Sequence, residues 1–376
     1  MTLPAPAPSY PDGLAQLSRG RDNNLNLIRM VAATMVLLSH SYVVASGDMK
    51  SEPWLALLGM TPGGVAVDAF FVLSGFLVMG SLQRSGRIGP FAVARSLRIY
   101  PGLWVALLVS TLVVGAAFSE LGFRAFISDP QTWRYLARNA TMVGGSEAVL
   151  PGAFAHNPFA DQVNVSLWTL RWELRLYIAL GLMGWCATRW PRGARLMPAL
   201  VPGLAVTLLA TTFILLFLDK PNDAPRLGAM FLSGAAYWIH RDRLRIQGRW
   251  ALAVCMAMAA GAAVAPHAFE VIYRLGFPYV LMYLAFVPGS TQGPATLRGI
   301  RAYNRVGDYS YGMYVYAFPV QQCTAALLPG ISTWTMTGVA GAVTLMLAML
   351  SWHLIEKPAT SWRRRPATRA EPGKSS

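Results

Sequence analysis

Long apolar runs alternate with short clusters of basic residues along this chain, and that alternation predicts a stack of helices. A bilayer core takes about 20 apolar residues of helix. Runs of that kind occupy residues 28–46, 64–82, 99–118, 168–187, 197–218, 227–240, 250–266, 271–288, 309–328 and 335–354. The expected fold is therefore all-α: a polytopic integral membrane bundle of about ten helices, with the sixth and seventh spans short. The first run is no cleavable leader, because it begins late and contains Arg29 and His40. Residues 1–26 read as an N-terminal segment, 27–357 as one membrane domain and 358–376 as a basic tail.

Composition sharpens this picture. Hydrophobic residues make up 54% of the 376 positions and charged residues 13%, about half the usual globular share of roughly 25%. The 32 Lys and Arg against 17 Asp and Glu leave a net charge of +15, which alone would suit a polyanion. Their placement points elsewhere. With the N-terminus inside, 22 bases fall on the cytoplasmic side, in residues 19–21, 84–98, 189–195, 241–249, 298–305 and the tail. The other side holds 5: Lys50, Arg124, Arg134, Arg138 and Lys220. That bias places both termini in the cytoplasm and removes the need for a nucleic-acid partner. Cys186, Cys255 and Cys323 each lie inside an apolar run, so neither a disulfide framework nor a metal site is expected. The one long loop, residues 119–167, carries Phe123, Phe126, Trp133 and Tyr135, which suits an amphipathic helix on the outer leaflet.

An ionisable group within a span costs at least about 2.5–3.5 kcal/mol, so each is a functional candidate. His40, in a span otherwise of Val, Leu, Met and Ala, is either a neutral ring bonded to a neighbouring helix or a general base. Arg29 precedes it by eleven residues, which returns to within about 20° of the same helical face; it is an inner anchor or a substrate contact. Glu173 stands between Arg171 and Arg175, either in a local ion pair or as a group that orients a base or holds a sugar hydroxyl. Trp168 and Trp172 beside it suit an interfacial belt or a sugar-stacking platform. Arg95 and Arg98, three apart on one helical face, either set topology or grip phosphate through their planar forks. The segment Gly63–Leu77, which includes Ser74, offers small residues for close helix packing. It also carries Asp68, a second intramembrane acid whose partner the sequence does not name.

Taken in order, these residues resemble a known family. Asn26-Leu27-Ile28-Arg29 leads to His40-Ser41; the Asp68–Leu77 run and Arg95-Ser96-Leu97-Arg98-Ile99-Tyr100-Pro101 follow. Next come Ser166-Leu167-Trp168-Thr169-Leu170 with Glu173 and Tyr177, then Gly307-Asp308-Tyr309-Ser310-Tyr311-Gly312, and last Ile355-Glu356-Lys357-Pro358. The ordered set, spread over residues 22–358, is similar to the acyltransferase 3 family of bacterial membrane O-acyltransferases.

The resemblance implies transfer of an acyl group, usually acetyl from cytoplasmic acetyl-coenzyme A, to a sugar hydroxyl across the inner membrane. The acceptor would be an exopolysaccharide, O-antigen or lipid-linked oligosaccharide. His40 would be the essential histidine, with Glu173 or Asp68 holding its imidazolium. Arg95, Arg98 and Arg29 would bind the acyl-coenzyme A co-substrate; Trp168, Trp172, Tyr177 and Ser74 are the candidate acceptor contacts. No resident cofactor is expected. Ala317 stands where many members carry a second histidine, and the few residues after the last span leave no expectation of a further domain. A transporter or flippase for a lipid-linked or anionic solute is the alternative; the inverted repeats and broken helices that would favour it are not visible.

Overall fold

The computed structural model describes residues 13–362, except positions 21, 143, 191, 291, 292 and 294. Arg21 and the tail bases from Arg363 onward lie outside the described residues. The described chain is helical, with isolated bridges in place of strands. In chain order the helices are α1 (Leu25–Ser46), α2 (Pro62–Ser85), α3 (Ile88–Phe118), α4 (Phe123–Ser128), α5 (Pro130–Thr141) and α6 (Trp168–Arg189). They continue with α7 (Gly193–Phe217), α8 (Asp223–Ile239), α9 (Gly248–Val264), α10 (Pro266–Phe286), α11 (Ser310–Leu327) and α12 (Thr333–Trp362).

Each of the ten expected segments coincides with a helix, and six are long and apolar enough to cross a membrane: α1, α2, α3, α7, α10 and α12. The other four fall short for physical reasons. α8 and α9 have 17 residues each. α6 carries Arg171, Glu173 and Arg175 in its first turns, and α11 is rich in Tyr, Gln and Thr. The basic loops converge on one end of the bundle. Leu14 and Gly13 meet Leu244 and Arg245, Arg301 bonds Asp22, and Asn24 bonds Leu284 and Pro288. Asn23 and Lys357 line one cavity there, so the start of α1 and the end of α12 share that end.

Local chemistry sets the helix limits. Gly47, at φ 74°, ends α1 in the left-handed region that glycine tolerates. The Thr61 hydroxyl accepts from the Gly64 amide, with Pro62 at the first helical position, to start α2. α2 is the most enclosed span, whereas α7 keeps most of its surface outward, the layout expected of a central and a lipid-facing helix. The small-residue expectation for α2 is met at one crossing: a Cβ on Gly75 would stand 1.8 Å from the Phe231 carbonyl, and one on Gly234 would stand 1.9 Å from that of Val72. The backbones of α2 and α8 touch because neither glycine has a side chain.

Residues 142–167 correct the surface reading of the long loop. Trp133 and Phe123 are exposed as expected, but Phe126 and Tyr135 are fully buried. The loop then descends along α11, burying Leu150, Phe154, Val163 and Asn164. Irregular backbone at that depth survives only inside protein, with its polar groups paired. Gln322 and two asparagines supply pairing between the loop and α11, while Gln321 ties α11 to α1. Gln322 donates to the Phe159 and Gln162 carbonyls, each at 2.7 Å, and accepts from Asn157. Asn164 donates to the Val315 carbonyl at 2.9 Å, and Gln321 bonds Ser41 and the Leu37 carbonyl. As a result α6 begins deep in the bundle, where Thr169 meets Tyr314 at 2.6 Å.

Gly75→Val or Gly234→Val should separate α2 from α8 and destabilise the protein by at least about 3 kcal/mol, the top of the usual overpacking range. Gly203→Val, where an added Cβ meets nothing within 4 Å, should behave as wild type. Thermal unfolding in detergent, read by size-exclusion fluorescence, checks this; equal stability of all three variants would refute the close crossing.

Candidate active site

Four charged side chains meet at the basic end of the bundle. Asp308, just before α11, takes Arg29 of α1 at 3.0 Å and Arg98 of α3 at 2.5 Å. Arg98 also reaches Glu356 of α12 at 3.5 Å. Glu356 sits in a π turn that re-aims the end of α12, and the Ser351 hydroxyl donates to it at 3.0 Å. Burial would raise the Asp308 pKa, but the Arg29 and Arg98 guanidiniums and the Ser310 hydroxyl and amide outweigh it, holding the carboxyl at about 2. Arg98 also lies over the Tyr311 ring, whose hydroxyl donates to the Ile99 carbonyl. The network ties four helices through one buried ion cluster.

Arg95 differs from its neighbour. Among the described residues its only hydrogen bond is a long one, 3.5 Å, to the Ser81 hydroxyl, and its buried Nε has no partner there. Of the two arginines expected to act together, one is fully engaged by carboxylates and the other is available.

The next layer is neutral on the surface and acidic at its centre. Ser74 of α2 donates to Glu173 at 2.7 Å and stands 3.2 Å from the Tyr177 hydroxyl, which itself donates to Glu173. A cavity of about 50 Å³ is bounded by Arg29, Ser74, Arg95, Arg98, Glu173 and Tyr177. A second, of about 40 Å³, shares Arg29, Ser74 and Glu173 and continues past Thr169 and Tyr314. On the other side of Arg29 a vestibule of about 510 Å³ opens among Asn23, Asn26, Asn304, Asp308 and Lys357. Arg29 therefore lines all three spaces.

His40 stands apart from this layer. The Gly63 amide donates to the Ser39 hydroxyl at 3.1 Å, which puts His40 level with the start of α2. Arg29 lies eleven residues away, about 16 Å along α1. The His40 ring packs edge-on against Phe318 at 5.1 Å, its Nδ1 buried without a partner. Phe159 of the descending loop packs on the far side of Phe318.

The expected carboxylate for His40 is not where the sequence suggested. Among the described residues neither Glu173 nor Asp68 bonds to it. Glu173 is drawn to Ser74 and Tyr177 because α6 starts deep, and it forms no ion pair with Arg171 or Arg175. Those two guanidiniums instead cover the Trp172 ring, at 5.5 and 4.8 Å from its centroid. Asp68, fully buried, is held by Arg226 at 2.5 Å and by the Tyr273 hydroxyl at 3.3 Å. Trp168 is half-buried against the core. Ser74 and Tyr177 do meet. Asp308, Glu356, Tyr311 and Tyr314 received no role from the sequence, although all but Tyr314 fall in its ordered motifs; their signal was acids and tyrosines placed at span ends.

Similarity to known proteins matches this layout. The sequence model of a family described as an acyltransferase domain matches residues 22–353. Nodulation protein 10 of Rhizobium leguminosarum bv. viciae is 29% identical over 364 residues, covering 92% of this chain and 95% of the relative. An O-acetyl transferase of Shigella phage Sf6 is 27% identical over 348 residues, covering 90% and 96%. No solved structure matches.

Replacing Asp308 by Asn leaves Arg29 without its carboxylate and Arg98 with Glu356 alone, and should cost on the order of 3 kcal/mol. The pH dependence has a definite sign. The carboxyl is depressed from an ordinary 3.8 to about 2, so its stabilisation is complete above about pH 4 and is lost as pH falls through 2. Unfolding midpoints of wild type and variant that stay equal from pH 2 to 7 would refute this role.

Proposed function

We propose, since this chain belongs to the acyltransferase 3 family, that it moves an acetyl group from cytoplasmic acetyl-coenzyme A to a hydroxyl of an extracytoplasmic or lipid-linked sugar. It is an O-acyltransferase and a multi-pass membrane protein; the donor, the acceptor and the inner-membrane location belong to the proposal. In it all ten long helices span, with the basic end and both termini in the cytoplasm, as the 22-to-5 distribution of bases favours.

The observation that carries the reading is the row of spaces meeting at Arg29, with an unpartnered imidazole farther along the same helix. Donor phosphates lie where the vestibule meets the small cavity at Arg29, and Arg95, on the wall of that cavity, supplies the available guanidinium. Arg98 and Arg29, fixed by Asp308, keep the entrance correctly shaped. The flexible thioester arm passes Ser74, Glu173 and Tyr177, whose bonds can be exchanged for bonds to it, and presents the acyl carbonyl toward His40. A sugar hydroxyl is too weak an acid to attack unaided. His40 takes its proton as the new ester bond forms and the carbon–sulfur bond breaks, and the proton then leaves with the coenzyme A thiolate. The unpartnered Nδ1 suits a group that gains its hydrogen-bond partner in the reacting complex.

His40→Ala should leave the protein folded and reduce transfer by at least about 10²-fold, the lower range for loss of a general base. Arg95→Lys should raise the KM for acetyl-coenzyme A by about tenfold with kcat little changed, since an ammonium cannot form the two-point contact. Acetyl incorporation into glycan, followed against donor concentration in vesicles, measures both. Full transfer by His40→Ala would remove the assignment of the base, and an unchanged KM in Arg95→Lys would leave that residue a topology signal.

A further inference from the structure

Across α2 from Ser74 lies a separate cavity of about 330 Å³, at the end opposite the basic loops. It shares no residue with the spaces that meet at Arg29. Its polar wall is built from Asn222, Asp223, Arg226, Glu270 and Arg274. Arg226 is anchored to Asp68 and, at 2.6 Å, to Asp223. Arg274 is paired with Glu270 one turn away on α10. Yet Arg274 is only 7% exposed, and its Nε and Nη1 have no hydrogen-bond partner. Buried guanidinium donors of that kind call for an acceptor from outside the chain.

Depth links this cavity to the chemistry. Thr61 and Gly64 line it, and Gly63 between them bonds to Ser39 beside His40. The cavity is therefore level with His40 and about 10 Å from it, one helix diameter. Its volume is at the small end of ligand pockets, which start near 300 Å³, so it holds one sugar ring and not a chain.

We propose that this cavity is an acceptor subsite that binds a neutral sugar residue adjoining the one acylated. This rests on the acceptor being a glycan. Sugar hydroxyls both donate and accept, and the wall offers both partners: carboxylate oxygens of Asp223 and Glu270, and the free N–H groups of Arg274. Leu216 and Pro221 give the ring an apolar face. The charge balance selects against an acidic sugar. Two guanidiniums face three carboxylates, Asp68 included, so an added anion enters a site already negative by one.

The test is binding without donor, to protein in lipid nanodiscs. The probe is envelope polysaccharide from a strain lacking the gene, cut by mild acid, tritiated and fractionated into single sugars and short oligosaccharides. Wild type should bind oligosaccharides at least about tenfold more tightly than single sugars, the worth of one to two bonds to a charged group. Arg274→Lys should abolish that preference. The Glu270→Gln/Arg274→Gln double variant, which removes both members of that ion pair together and creates no new unpaired charge, should do the same and guards against misfolding. Oligosaccharide affinity unchanged in both folded variants, or no length dependence in wild type, overturns the subsite. Preference for acidic over neutral fragments overturns its neutrality. Adding acetyl-coenzyme A to the same nanodiscs separates the two readings: fragments that show the length dependence but accept no acetyl group count against the transfer reaction alone.

Discussion

Burying charge inside a membrane bundle is the constraint on which this structure depends. Arg29, Arg98, Asp308 and Glu356 come from four separate segments, and each would be prohibitively placed alone. Together they form one cluster in which Asp308 accepts from both arginines and Glu356 holds the second side of Arg98. The cluster thus does two jobs. It locks α1, α3 and α12 around the start of α11, and it leaves Arg29 facing the three spaces that meet there. Loss of Asp308 damages both at once, which is why the shape of the entrance and the stability of the bundle cannot be separated.

The same accounting applies to the backbone. Residues 144–164 enter the bundle without regular structure, and Asn157, Asn164 and Gln322 meet their carbonyls or tie them to α11. This descent decides where α6 begins, and so places Glu173 beside Ser74 and not beside His40. His40 is left with its buried Nδ1 unpartnered. Asp68, released from that expected duty by its bond to Arg226, belongs to a different cavity at the level of the histidine.

Much of this was legible in the sequence, for identifiable reasons. Apolar runs mark all ten long helices because lipid and core impose the same composition. His40, Arg29, Arg95, Arg98 and Glu173 stood out because charge is rare in such runs. The Gly63–Leu77 segment announced close packing, and Gly75 delivers it. What stayed hidden were pairings at long range in the chain. Nothing near Asp68 points to Arg226, 158 residues on, and nothing near Arg98 points to Asp308, 210 residues on. The inward loop was hidden too, because its aromatics fit a membrane surface as well as a protein interior, and only the glutamines of α11 hint that something polar lies against them.

The central claim is that donor and acceptor enter from opposite ends, with the ion cluster at the donor's entrance and His40 near the acceptor. The most direct measurement uses sealed vesicles of both orientations, each supplied from outside with labelled acetyl-coenzyme A. The account predicts label in glycan enclosed within inverted vesicles and none in right-side-out vesicles until they are made permeable to the donor. Equal labelling in both sealed orientations would contradict it.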